Sequence, residues 1–215
     1  PPVFGGKVAS FDPAKARAIK GVEAVVQVPV DRGGTGVAVI GSGYWPAKTG
    51  RDALDIKWET ATGPTTVDLV RQFRELAGKP GLPARSDGDA NAAAQAATKI
   101  EATYEFPYLA HAPMEPLNAV VDLKADSCTV WCGTQFQTID QLAIASTAGL
   151  KPEQVTLNTM TAGGGFGRRA VPTSDYLVEA VNIAKAMKQS GIDAPVKVIW
   201  SREDDVTHDF YRPPS

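Results

Sequence analysis

Short runs of alternating and periodic hydrophobic positions divide this chain into small elements. Phe11-Asp12-Pro13 before Ala14-Lys15-Ala16-Arg17-Ala18-Ile19-Lys20 and Gly21 has the form of a short helix, with Asp as N-cap, Pro at N1 and Gly past the end. Residues 22–28 and 36–40 are β-prone and are separated by a turn at Asp31-Arg32-Gly33-Gly34. A short helix is predicted over 46–54, and Leu54-Asp55-Ile56-Lys57-Trp58 alternates as a half-buried strand. Val67, Val70, Phe73 and Ala77 share one stripe of a helix over 66–77. Lys99-Ile100-Glu101-Ala102-Thr103-Tyr104-Glu105-Phe106 alternates for eight residues and predicts a strand. Strands follow at 119–123, 128–132, 155–160 and 196–200, with helices at 138–148 (closed by Gly149) and 175–189 (capped by Thr173 or Ser174). Strands and helices this short and mixed predict an α+β fold rather than a doubly wound sheet.

Composition adds exclusions more than identity. At roughly 150 residues per domain, the 215 residues suit one large or two small domains. The low-complexity stretch over 78–98, with Asp87-Gly88-Asp89 and an alanine run, marks the expected boundary. Twenty-two Lys and Arg against 24 Asp and Glu leave a net charge of −2, which argues against a nucleic-acid binder working through a broad basic field. No run approaches the ~18 apolar residues of a membrane span. Two cysteines are too few for a disulfide framework or a four-ligand zinc site. On one strand Cys128 and Cys132 would share a face about 13 Å apart, as buried reduced thiols. The chain opens on Pro1-Pro2 and stops at Pro213-Pro214-Ser215, which reads as a piece of something longer.

The sharpest candidate chemistry is Gly163-Gly164-Gly165-Phe166-Gly167-Arg168-Arg169, directly after a predicted strand. Successive glycines let a ligand approach backbone N–H groups, such groups form an anion-binding concavity, and two arginines suit phosphate oxygens. Residues 165–170 also satisfy a relaxed G-x-G-x-x-A dinucleotide pattern, so an NAD(P)-dependent dehydrogenase is one alternative. That pattern places its third small residue inside a helix, whereas Pro172 and the cap at Thr173 or Ser174 delay the helix here. A non-catalytic binding or assembly module is a second alternative. His111 and Glu115 are separated by Pro113 and followed by Pro116, so no helix pairs them on a metal; the bland reading is a polar pair holding a rigid loop by hydrogen bonds. No metal ligand set is expected. No G-x-S-x-G occurs, and Ser201-Arg202-Glu203-Asp204-Asp205 reads by default as a solvated turn.

Four segments together resemble a known family. Tyr108-Leu109-Ala110-His111-Ala112-Pro113-Met114-Glu115-Pro116, Gly133-Thr134-Gln135, the glycine loop and Ser201-Arg202-Glu203-Asp204 are similar, in order and spacing, to the large subunit of the molybdenum hydroxylases, the xanthine dehydrogenase and aldehyde oxidase family. The Pro-Met-Glu-Pro form and the Arg-Arg pair are most like its isoquinoline 1-oxidoreductase β-subunit branch. Residues 1–60, with Pro2-Val3-Phe4-Gly5-Gly6-Lys7-Val8 at the start, resemble the family's α/β "hammerhead" module.

The resemblance implies a hammerhead-like module over 1–77, a linker over 78–98 and the N-terminal part of a molybdopterin-binding domain over 99–215. It implies a catalytic glutamine at Gln135, which donates to the molybdenum centre. Phe166, in the loop against metal and pterin, is likewise implied as catalytic, and Gly163, Gly164, Gly165, Phe166, Gly167, Arg168 and Arg169 are cofactor-binding. Arg168 and Arg169 replace the Gly-Lys of the xanthine-oxidising branch and Ala170 its substrate-orienting Glu, which counts against a purine. The implied cofactor is molybdenum-pterin, in the cytosine dinucleotide form, and the implied partner is a small 2Fe–2S subunit. The implied reaction hydroxylates an N-heterocycle or an aldehyde with oxygen from water. The family's general-base glutamate lies in a motif C-terminal of the glycine loop, so no residue here is nominated for it. The piece alone is then expected to be inactive and to hold no cofactor.

Overall fold

The computed structural model describes residues 1–60 and 62–211, and Ala90 by its backbone alone. The described chain divides into two units, one of Pro1–Ala61 with Tyr108–Pro213, the other built on Thr62–Pro107. The first unit is therefore discontinuous in sequence. The boundary expected at 78–98 falls inside the second unit, and the two stretches expected as separate modules on either side of it share one core.

In the first unit, β1 (Lys7–Asp12) pairs antiparallel with β4 (Asp55–Glu59), and β2 (Val22–Val30) with β3 (Gly34–Gly41). The Asp31-Arg32-Gly33 turn closes the second ribbon, with Arg32 held at φ 54°. Between the strands lie α1 (Ala14–Arg17), where Asp12 Oδ1 accepts the Ala14 N–H at 2.9 Å, and α2 (Tyr44–Asp52). The second half builds a four-stranded sheet from β5 (Asn118–Leu123), β6 (Cys128–Cys132), β7 (Val155–Thr159) and β8 (Val196–Ile199), in the order β7-β6-β5-β8. β6 and β7 run parallel, and their crossover is α5 (Gln137–Ala148), which ends on Gly149 at φ 76°. α6 (Asp175–Gln189) lies on this sheet and α7 (Arg202–Thr207) follows it.

The core explains why the two sequence halves stay together. Val121, Cys128, Val130 and Val155 of the sheet meet Ile144 of α5 and Leu177, Ala180, Val181 and Ala184 of α6 in one cluster. The far side of α6 contributes Ile183 and Met187 to a second cluster with Val28 of β2 and Ile40 of β3. A helix apolar on two faces must be covered on both, so the β2–β3 ribbon packs on α6 although nearly 150 residues separate them. Cys128 and Cys132 are free, buried thiols pushed up to about 11 by burial.

The second unit carries α3 (Thr66–Ala77), capped by Thr65 with Asp68 bonding back to the Thr65 N–H, and the single turn α4 (Ala90–Ala93). The eight alternating residues 99–106 form no strand; they lie exposed and unpaired in any ladder. Alternation supplies a face, but a strand also needs a neighbouring edge, and among the described residues none is paired with it.

Candidate functional site

β7 ends at Thr159, and the chain then runs through the glycine loop to Asp175 before becoming helical again. Two earlier segments hold this loop. The turn Gly133-Thr134-Gln135-Phe136, between β6 and α5, is fixed by buried Asp140, which accepts the hydroxyls of Thr134 and of Ser174 (2.6 Å). Burial pushes the Asp140 carboxyl up against those two bonds. From this turn Gln135 reaches the loop: its Oε1 accepts the Gly167 N–H at 3.3 Å, and its own N–H is bonded to the Arg169 carbonyl at 3.2 Å. The glycine at 165 leaves room for the Gln135 amide, because a Cβ there would overlap Oε1 and push that side chain aside. Gly167 adopts φ 105°, which only glycine takes without strain.

The Pro-rich segment is the second support. Glu115 Oε2 accepts the Gly163 N–H at 2.7 Å and Oε1 the Asn118 amide at 2.8 Å. The Asn118 bond first, then the Gly163 N–H and Arg169, hold its carboxyl below the ordinary range against its burial. Arg202, at the first position of α7, donates to the carbonyls of Pro113 and Met114. The reading of His111 and Glu115 as loop-holding residues matches what they touch here. Residues 201–205 are a correction to the expected solvated turn: Ser201 caps α7 through a reciprocal bond with Asp204, Asp205 is buried, and its Oδ2 accepts the Leu117 N–H at 2.8 Å.

Arg168 and Arg169 are the larger correction. Both were expected beside phosphate, and both turn inward, 0% and 1% exposed. Arg168 makes a bidentate pair with Asp175 at 3.0 and 2.8 Å; its Nε lies 3.1 Å from Asp209 Oδ1, an ion pair without hydrogen-bond alignment. The Trp200 and Phe210 rings flank its guanidinium. Arg169 donates to the Gly133 carbonyl and the Glu115 carbonyl, each at 3.0 Å, and lies 3.3 Å from Glu115 Oε1. Donors committed this way in the interior cannot take a ligand's phosphate; they fasten the loop's C-terminal end to the fold. Asp209 and Asp175 were absent from the sequence-based candidates. Their signal, buried carboxylates opposite buried arginines, exists only once partners 7 and 41 residues away are brought together.

What faces outward is the tip of the loop. Phe166 is 67% exposed and held at φ 52°, an unusual conformation for a bulky residue that costs roughly 1–3 kcal/mol. Among the described residues, no protein acceptor takes the N–H groups of Gly164, Gly165 or Phe166. The Gln135 amide, its oxygen occupied by Gly167, keeps its Nε2 donors. Three consecutive free N–H groups make a concavity that suits an anionic group. No cluster of three His, Cys, Asp or Glu side chains is placed to hold a metal among the described residues. The exposed N–H donors and the Gln135 amide fit an anionic, oxygen-rich group.

The sequence profile of the molybdopterin cofactor-binding domain matches residues 78–215, which contain the whole of this loop and both of its supports. The chain belongs to that family. The chain is 31% identical to the isoquinoline 1-oxidoreductase subunit beta of Brevundimonas diminuta, over 98% of this chain and 27% of that protein. It is 29% identical to a membrane-bound aldehyde dehydrogenase (pyrroloquinoline-quinone) of Gluconacetobacter polyoxogenes, over 100% of this chain and 28% of that one. Its fold is similar to part of the aldehyde oxidoreductase from Desulfovibrio gigas, with a TM-score of 0.65 at 17% identity, over 98% of this chain and 27% of that one. The chain thus spans little more than a quarter of these relatives. The expected α+β class holds. The dinucleotide pattern over 165–170 lacks its helix, since α6 begins five residues beyond Ala170. Among the described residues no helix is long and apolar enough to cross a membrane.

Proposed function

We propose that this chain forms part of the cofactor-binding side of a molybdenum hydroxylase subunit, with the loop tip Gly163-Gly164-Gly165-Phe166-Gly167 as the cofactor contact and Gln135 and Phe166 as its catalytic residues. The observation that carries the reading is the trio of free N–H groups at Gly164, Gly165 and Phe166 beside the Gln135 amide, inside the segment that matches the family. When bound, molybdenum-pterin supplies the redox chemistry by which a water-derived oxygen is placed on an electron-poor carbon. The chain's part is binding and orientation. The loop N–H groups would hold the cofactor's anionic oxygens, and the Gln135 Nε2 would donate a hydrogen bond to the bound group. Phe166 presents an exposed ring beside them as an apolar wall for a flat substrate. Arg168 and Arg169 act through the loop, fixing where its N–H groups lie.

The substrate class is an N-heterocycle or an aldehyde, the cofactor the cytosine dinucleotide form, and the electron acceptor a small 2Fe–2S partner subunit. Because the chain spans about a quarter of its relatives, the 215 residues alone are expected to turn over neither substrate. The test is molybdenum and pterin analysis of the protein made in a molybdopterin-producing host, within its complete subunit and with its iron–sulfur partner. Stoichiometric molybdenum and pterin, with label from water appearing in the product, support the proposal. A quinone in place of pterin, or thermal stabilisation by NAD(P), would overturn it.

A further inference from the structure

His111 carries more orientation than a loop anchor needs. Its backbone N–H is accepted by Asp209 Oδ2, and its Nδ1 lies 2.9 and 3.0 Å from the two oxygens of the same carboxylate. Asp209 is itself fully buried and sits against the Arg168 guanidinium. A carboxylate in that pairing can only accept, so the neutral imidazole carries its proton on Nδ1 and presents Nε2 as an acceptor. The ring is 11% exposed, and no protein donor reaches Nε2 among the described residues. Nε2 borders the loop tip: a Cβ on Gly167 would stand 3.4 Å from it. Gly167 is the residue whose N–H Gln135 accepts, so Gln135 and His111 flank one exposed backbone position. Glu115, Arg169 and Arg202 already secure the loop without His111. The Asp209 clamp serves the direction of Nε2.

We propose that His111 is a further binding residue of this site, its Nε2 accepting a hydrogen bond from an N–H or O–H group of the pterin cofactor, with Asp209 as its positioning residue. The inference rests on the proposed function above. Pterins are rich in such donors, and a clamped imidazole acceptor at Gly167, beside the free N–H groups of the loop, complements them. The clamp also predicts a division between two substitutions. His111→Asn places an amide N–H where Nδ1 sits and nothing at Nε2; His111→Gln reaches the Nε2 position and abandons Asp209.

Molybdenum and pterin content of both variants, in the complete subunit, is measured with the melting temperature of the cofactor-free forms. H111N is expected to melt close to the parent yet to retain cofactor about tenfold less well, the worth of one hydrogen bond. H111Q is expected to melt lower while retaining cofactor within about threefold. Parental cofactor content in H111N, or loss in H111Q alone, would overturn the proposal in favour of a purely structural clamp. Should either variant fail to fold, the parent protein with nitrogen-15 histidine decides the matter. The Nε2 resonance of His111 in the complete subunit, identified as the one missing from whichever variant folds, must shift as an acceptor on cofactor loading. An unmoved resonance refutes the proposal. A parent protein without cofactor refutes the functional reading instead, which keeps the two failures apart.

Discussion

At the residue scale, the lesson lies in the two arginines after the glycine loop. Their type and position suggested phosphate chelation, and the chemistry of a guanidinium fits that as well as it fits a buried carboxylate. Sequence shows which residue is present but not which way it points. Asp209 and Asp175 settle the direction of Arg168, and Glu115 with two backbone carbonyls settles Arg169. Gln135 and Phe166 lie in compact local motifs, Gly-Thr before one and glycines around the other, and in the fold Gln135 bonds to the Gly167 N–H next to Phe166. The inward direction makes a measurable claim. Arg168→Met leaves Asp175 and Asp209 as uncompensated buried charges, which costs about 3–5 kcal/mol. Chemical denaturation should show that loss whether or not cofactor is present. A phosphate-binding arginine would instead leave the cofactor-free stability unchanged and weaken only loading.

At the element scale, what was legible depended on whether an element carried its own boundaries. α3 runs over the very residues its stripe marked, since Thr65, Asp68 and Gly78 supply both ends locally. α5 ends on Gly149 for the same reason. The ribbon strands and β5 to β8 were found by alternation, but their partners were not, because strand order is decided by packing on α6. Residues 99–106 show the converse, a strand pattern without an edge to join. α6 holds one further consequence. Glu179 on this helix accepts the Trp200 indole N–H at 3.1 Å, just beyond β8. Burial first, then the neighbouring Asp175, pushes its carboxyl up from 4.5 to about 7. The folded-state value exceeds the unfolded one, so the carboxyl favours folding below about 4.5, and this contribution is lost as pH rises through 7. Glu179→Gln mimics the protonated acid and keeps an acceptor for Trp200. The variant should melt like the parent at pH 4.5 and higher at pH 8, by on the order of 2 kcal/mol or roughly 4–8 °C for a chain of this size. Equal melting curves at pH 8 would mean that Glu179 ionises at no cost.

At the scale of the whole molecule, the arrangement inverts the linear reading. A composition shift at 78–98 suggested two modules in series, and the fold instead closes one core from residues before 61 and after 108, with the intervening stretch as a unit of its own. The two apolar faces of α6 are the cause: Leu177, Ala180 and Val181 belong to the sheet cluster, whereas Ile183 and Met187 need Val28 and Ile40 from the far end of the chain. Asn182 adds a bond to the Pro29 carbonyl at 3.1 Å, and Arg51 of α2 is paired with Asp204 of α7 at 2.5 Å. Covalent continuity through 62–107 is then not what holds the first unit together. Trypsin offers a direct check. Arg85 and Lys99 lie in exposed, irregular backbone, the preferred ground for nicking, while Lys79 precedes Pro80 and is a poor site. Limited digestion should cut at Arg85 and Lys99 first. The N-terminal and C-terminal pieces should then elute together from a sizing column, because the contacts of the β2–β3 ribbon with α6 survive the cut. Separation of the pieces under native conditions would show that the ribbon packs on α6 only while tethered, and would return the molecule to two modules in series.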